Sequence, residues 1–309
     1  MAEITAKAVM DLRTKTGVGM MECKKALVAA NGDFEEAIKI LREKGLSVAA
    51  KKADRIASEG IVDIMKSGGT TAIIEVNAET DFVAKNATFK EFVKGILSTV
   101  LENKPETVAK LLAMNFAGSD MTVEEALKDK IFTIGENMSI RRFAIFEGVT
   151  GTYIHGGGAA GVVTVFETDS GIEKTEAFGE YAKNICMQIA AMNPLYVSKE
   201  DVPASVLDYE KEILMSQIEN DDKLKNKPDA VKEKMVEGRI KKYFDTNCLI
   251  EQQYVKEEDQ KVGRYTENTS KELGGSIKIV SFVKYERGEG LEKKEENFAE
   301  EIDKLVKGS

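Results

Sequence analysis

The 309-residue chain has a single histidine, His155, and only three cysteines, Cys23, Cys186 and Cys248. One imidazole cannot supply a zinc ligand set, and no paired nucleophile accompanies it, so zinc chemistry and Ser-His-Asp or Cys-His catalysis are not expected. The cysteines are odd in number and widely spaced, with no Cys-x-x-Cys, and read as reduced thiols of the cytoplasm. Basic charge is also short: 44 Lys and Arg stand against 53 Asp and Glu, a net charge of −9. Without clustered cations to meet phosphates, direct nucleic-acid binding is not expected. No apolar run approaches the roughly 18 residues that span a bilayer. Met1-Ala2-Glu3-Ile4 lacks the basic-then-apolar pattern of a signal peptide. The expectation is a cytoplasmic protein that makes no membrane contact and needs no metal or cofactor of its own. The run Gly156-Gly157-Gly158-Ala159-Ala160-Gly161 is followed by no Gly-Lys-Ser/Thr, so a turn, or close approach of another backbone, is expected in place of a phosphate loop.

What is present is a globular composition, 42% hydrophobic and 31% charged with the signs mixed, in a chain long enough for two or three compact units. Residues 1–47 read as three short helices. Thr5 can cap the first, and Thr16-Gly17-Val18-Gly19 breaks the chain. Asp33 and Glu36 have capping-box spacing for the third, which is expected to end at Gly45. Such a unit is either a helical lid on the larger body or a docking module that displays Met20, Met21, Lys24 and Lys25. Residues 48–57 are small and basic without apolar periodicity, the pattern of a solvated tether.

The rest is an internal repeat. Glu59-Gly60-Ile61-Val62 returns as Glu147-Gly148-Val149-Thr150, and Glu79-Thr80-Asp81 as Glu167-Thr168-Asp169, both displaced by 88 residues. The stripe Phe89, Phe92, Ile96 returns as Phe178, Tyr181, Ile185, displaced by 89. Phe143-Ala144-Ile145-Phe146-Glu147 returns as Phe282-Val283-Lys284-Tyr285-Glu286. Each unit, 58–146 and 147–288, therefore reads strand, strand, helix, connection, strand: an α+β fold with a small sheet covered by helices on one side. Unit two carries an insertion at about 200–245. There Val202, Val206, Tyr209 and Ile213 form a coiled-coil-like seam, and Pro228 opens a second helix with Val231, Met235, Val236, Ile240 and Phe244. This hairpin is too thin to hold a core of its own and is expected to project, as an arm for a partner or for a homodimer. Residues 289–309 read as a C-terminal helical module, with Phe298, Ile302, Leu305 and Val306 on one face.

The candidate site lies between the second strand and the first repeat helix, in Thr80-Asp81-Phe82-Val83. Thr88 and Glu91 have capping-box spacing, so the helix is expected to start near Thr88. One turn after Phe82 stand Lys85 and Asn86, both polar, so Phe82 does not continue the buried stripe. It is either a local staple or a contact tip. The second repeat has Asp169-Ser170-Gly171 at the matching place, so the fold does not require an apolar wedge there. Acid–base catalysis would require Asp81 and His155 to meet in one pocket, and is not expected.

Two long stretches carry a resemblance. Leu12-Arg13-x-x-Thr16-Gly17-x-Gly19-Met20-Met21-x-Cys23-Lys24-Lys25-Ala26-Leu27 and Glu75-Val76-Asn77-Ala78-Glu79-Thr80-Asp81-Phe82-Val83 closely resemble the two signatures of the translation elongation factor Ts family. Tyr153-Ile154-His155 with its glycines, Met235 to Arg239 and Cys248 to Gln252 are similar to it too, so the resemblance covers essentially the whole chain. Ala159-Ala160 departs from it, where the family commonly has a basic residue and then isoleucine. The resemblance implies a non-enzymatic guanine-nucleotide exchange factor for the GTPase elongation factor Tu. It implies a ubiquitin-associated-like N-terminal unit that docks on the GTPase, and a tip, Thr80 to Val83, that dislodges the partner's Mg²⁺. It places lower-ranked contacts at Met20, Lys24, His155 and Gly156. The runner-up is a peptide- or ubiquitin-type adaptor working through the N-terminal helices alone.

Overall fold

The computed structural model describes residues 4–169 and 171–292. The helix expected around Phe298, Ile302, Leu305 and Val306 lies outside the described residues.

Helices α1 (Ala6–Thr16), α2 (Met20–Ala29) and α3 (Phe34–Lys52) form the N-terminal unit. Thr5 Oγ1 caps α1 by accepting from Ala8 N at 3.2 Å, and Asp33 caps α3 by accepting from Glu36 N at 2.9 Å. Gly17 ends α1 with φ +69°, a conformation that costs other L-residues about 1–2 kcal/mol. Val9, Leu12, Cys23, Ala26, Leu27, Ala37 and Leu41 meet in one core. The helix stop expected at Gly45 does not occur. Gly45 is buried against Phe132, which even a Cβ would meet only at an ordinary contact distance of 3.5 Å, and α3 runs on to Lys52. Half of the expected tether is therefore helix, and Ala49 is buried in the core of the first repeat. Tertiary packing has outweighed glycine's low helix propensity, a cost of about 1 kcal/mol.

The first repeat comprises β1 (Glu59–Ser67), β2 (Thr70–Ala78), α4 (Asp81–Lys85), α5 (Ala87–Asn103), α6 (Val108–Leu112), α7 (Val123–Ile134) and β3 (Met138–Glu147). The second comprises β4 (Val149–His155), β5 (Ala160–Thr168), α8 (Glu176–Met192), the hairpin α9 (Ala204–Asn220) and α10 (Asp229–Asn247), β6 (Gln253–Tyr254), β7 (Glu257–Lys261), α11 (Val262–Glu272) and β8 (Ile277–Glu286). The sheets, β1-β2-β3 and β4-β5-β8, are antiparallel throughout. The repeat holds in detail: α5 and α8 are each 17 residues long and end on left-handed caps, Lys104 at φ +47° and Asn193 at φ +46°.

Helices cover one face of each sheet, as the sequence predicts, and the opposite faces cover one another. Ala72, Ile74 and Val76 of β2 pack with Phe89, Phe92, Val93, Ile96 and Leu97 of α5. Val62 and Ile73 pack instead with Val163 and Tyr285 of the other sheet. β2 is thus a central strand buried along all nine residues, its polar Thr70, Thr71, Glu75 and Asn77 included. Glycines permit this contact. A Cβ on Gly158 would come within 2.9 Å of Ile61 Cβ, and Gly158 O accepts from Val62 N at 2.8 Å. The glycine run is a turn with close backbone approach.

The hairpin has its own small core of Ile218, Val236 and Ile240. The predicted seam is displaced. α9 begins only at Ala204, after Pro203, so Val202 is outside it, and Tyr209 is exposed. The face turned to α10 is carried by Leu214, Met215 and Ile218. At the hairpin base, Leu195 N and Tyr196 N both donate to Asn247 O, and Tyr196 O accepts from Leu249 N at 2.9 Å.

Candidate functional site

Thr80 to Lys85 form a distinct element. α4 has five residues, far below the roughly 12 at which an isolated helix becomes even marginal, so tertiary contacts must hold it. α5 begins at Ala87, near Thr88 as expected, but its cap is not Thr88. Asn86 is its N-cap and accepts from Thr88 N at 2.8 Å, while Thr80 Oγ1 caps α4 by accepting from Val83 N at 3.4 Å. A second asparagine cap thus splits what the sequence presents as one helix start.

Val83 and Ala84 anchor α4 in the first core, and Phe82, on the opposite side, is 79% exposed. Phe82 is therefore not a staple. Lys85 Nζ lies 6.0 Å from the Phe82 ring centroid and donates to Asp81 Oδ2 at 2.5 Å. This ammonium holds the Asp81 carboxyl below its usual pKa range. The tip thus presents an aromatic face flanked by a carboxylate and an ammonium.

The base of α4 is fixed by polar bonds that sequence reasoning did not find. Thr80 N donates to Glu136 Oε2 at 3.0 Å and Thr80 Oγ1 to Glu136 Oε1 at 2.7 Å. Glu79 Oε1 accepts from Asn137 N at 2.6 Å and from Arg55 Nη1 at 3.4 Å. Asn137 Nδ2 donates to Ala53 O and Arg55 O, at 3.2 and 2.8 Å. Lys52 Nζ donates to Gly135 O. The only hint in the sequence is a polar pair, Glu136-Asn137, just before an apolar strand.

Glu75, quoted above only as part of a signature, is fully buried between the repeats. Its Oε1 accepts from Arg141 Nη1 at 2.9 Å, Gly288 N at 2.8 Å and Asn77 Nδ2 at 3.2 Å, and its Oε2 accepts from Arg142 Nε at 2.6 Å. Burial pushes the carboxyl pKa up, but these donors outweigh it and hold the group below its ordinary value. Arg142 also lies 4.2 Å from the Tyr285 ring centroid.

His155 ends β4, exposed, with Nδ1 3.2 Å from Tyr153 Oη. Gly156 follows it in the turn that rests, through Gly158, on Ile61 and Val62 of β1. α4 also packs on β1, so the structure brings the tip and the His155 turn to a common strand. Asp81 and His155 have separate partners, Lys85 and Tyr153. Met20 and Lys24 are exposed on α2, whose main packing partners are α1 and α3, and the structure does not join them to the tip. Met10 and Met21 are exposed on the same unit. Among the described residues, no group of three or more His, Cys, Asp or Glu is placed to hold a metal ion, and no helix is long and apolar enough to cross a membrane.

Residues 79–289, from the base of the tip to the end of the second sheet, match the family model described as Elongation factor TS. The chain belongs to the elongation factor Ts family. Elongation factor Ts of Clostridium kluyveri is 48% identical over 311 aligned positions, covering 99% of both chains. That of Clostridium perfringens is 49% identical, covering 98% of this chain and 99% of its own. That of Syntrophotalea carbinolica is 46% identical, covering 99% of this chain and all of its own. Membership makes the chain a protein-synthesis factor of the Ts class. The geometry adds that Thr80 to Val83 present an exposed aromatic on a pinned helical turn.

Proposed function

We propose that the chain is a guanine-nucleotide exchange factor for elongation factor Tu, and that the α4 tip promotes GDP release by disturbing the partner's Mg²⁺ site. The observation that carries this reading is the solvent-facing ring of Phe82 on a helix whose other side is locked into the core. An exposed aromatic on a rigid mount is a suitable interface anchor, because little ordering entropy is lost on docking.

Mg²⁺ neutralises the phosphate charge that binds nucleotide to a GTPase. Phe82 would separate apolar elements of the partner next to the metal ligands, with Asp81 biasing polar groups there and Thr80 and Val83 fixing the tip. The tip must favour the nucleotide-free partner, since a ligand shifts only equilibria between states it binds unequally. Linkage then requires that nucleotide weaken factor binding by the same ratio. Met20 and Lys24 on α2, and His155 with Gly156, supply further contacts with the same GTPase. The hairpin arm offers a surface to a partner or to a second copy.

The test is release of labelled GDP from purified elongation factor Tu, with and without magnesium chelation. Acceleration with magnesium present and little added effect once it is chelated support the reading. Absence of acceleration at any factor concentration refutes exchange. An adaptor acting through residues 1–47 alone, to which the exposed Met10, Met20 and Met21 lend themselves, requires that Phe82 be dispensable.

A further inference from the structure

The two repeats solve one local problem differently. In each, the third strand enters the sheet beside the residues that follow the second strand, and the entering backbone N–H needs an acceptor. In the second repeat the donor is Ser276 N, just before β8, and the acceptor is Asp169 Oδ2 at 2.7 Å. Asp169 is the counterpart of Asp81. In the first repeat the donor is Asn137 N, just before β3, and the acceptor is Glu79 Oε1, two residues earlier than Asp81. Moving this duty to Glu79 releases Asp81 to face outward beside Phe82.

A second difference goes with the first. The residue before Ser276 is Gly275, where a Cβ would come within 2.5 Å of Ile172 Cδ1 and 2.9 Å of Asp169 Oδ2. Its counterpart is Glu136, whose carboxylate accepts both the backbone N–H and the hydroxyl of Thr80. The fold therefore does not require a carboxylate there. One is present only in the repeat that carries the tip.

We propose that Glu136 is a positioning residue that sets the direction of the α4 tip by its paired hydrogen bonds to Thr80. Through the adjoining Gly135 and Asn137 it also keeps that tip in register with the N-terminal helical unit. This inference rests on the exchange-factor reading above. Lys52 bonds Gly135 O, and Asn137 Nδ2 bonds Ala53 O and Arg55 O, so the end of α3 and the start of α4 are both held by three consecutive residues. A contact surface on α2 and a contact surface at Phe82 then meet the partner at a fixed separation.

Glu136→Ala, Glu136→Gln, Phe82→Ala and the Glu136→Ala/Phe82→Ala double variant are assayed for stimulated GDP release across a range of factor concentrations. Glu136→Ala is expected to lower the maximal rate about tenfold, the order of one hydrogen bond to a charged group, because the core anchors Val83 and Ala84 still hold part of the tip's direction. The concentration for half-maximal effect should change less, since most of the contact surface survives. Glu136→Gln, which keeps one acceptor oxygen, should recover part of the loss. Because Glu136 acts through the tip, the double variant should be no slower than Phe82→Ala alone. A Glu136→Ala maximal rate equal to wild type, or losses that multiply in the double variant, overturns the inference. If Glu136→Ala does not fold, the wild type, Glu136→Gln and Glu136→Gln/Phe82→Ala decide by the same two criteria. Wild-type exchange by Phe82→Ala sinks the underlying reading of the tip and is distinguishable from either result.

Discussion

Gly288 donates its backbone N–H to Glu75 Oε1 at 2.8 Å, bridging 213 residues of sequence. The bond ties the turn after the last strand, β8, to β2, so one buried carboxylate gathers donors from both repeats. An unpaired buried carboxylate costs several kcal/mol. Here both oxygens are occupied, and two of the donors are guanidinium groups.

Removing the Glu75 charge should therefore be expensive. Glu75→Gln is expected to cost about 3 kcal/mol near neutral pH, the lower end for breaking a buried pair, because Arg141 and Arg142 retain some solvent. The folded pKa lies below the unfolded one, so this stabilisation is complete above the unfolded value and is lost as pH falls through the folded value. Urea melts of both proteins should differ most at neutral pH and converge below about pH 4. A difference that stays constant with pH would refute this account of Glu75.

Glycine at 288 has a second reason. Its φ is +68°, and a Cβ would lie 2.2 Å from Ser58 O. Gly157 has a similar φ of +65° with nothing near its Cβ position. Gly157→Ala should cost about 1 kcal/mol, the left-handed backbone penalty alone. Gly288→Ala should cost clearly more, because backbone must move and the Glu75 bond with it. Equal melting temperatures for the two variants would contradict the close approach.

For Phe82, exposure separates function from stability. Phe82→Ala removes a side chain that buries little in the free protein, so its thermal melt should match wild type. An interface anchor of this size is worth about 2 kcal/mol or more, so stimulated GDP release should slow at least about tenfold. A lowered melting temperature would mean that the ring packs on its own chain.

The hairpin should be dispensable for folding. Its core of Ile218, Val236 and Ile240 is separate from the sheet cores, and its base is closed by the Tyr196 and Asn247 bonds. Replacing 202–244 by a short flexible Gly and Ser linker should leave a body that melts cooperatively and retains partial exchange activity. Global unfolding would refute the projecting-arm reading.

Much of this architecture was legible in residue order. The offset of 88 revealed the repeat and with it the strand–strand–helix–strand order, and the polar residues after Phe82 marked it as lying off the core face. These signals are local, since each depends on spacing within a turn or a strand. What spacing could not decide was pairing between distant segments. Gly45 reads as a stop until Phe132 of a distant helix is seen against it. The seam of α9 depends on where Pro203 lets the helix begin. Nothing near Glu75 in sequence announces Gly288, and nothing near Thr80 announces Glu136. The sequence by itself determined the duplication, the main strands and helix of each repeat, and that Phe82 lies off the buried stripe. Only the tertiary structure decided that the two sheets cover each other and that Glu136 and Asn137 pin the tip, because buried polar groups take whichever donor or acceptor the fold brings near them, at any separation along the chain.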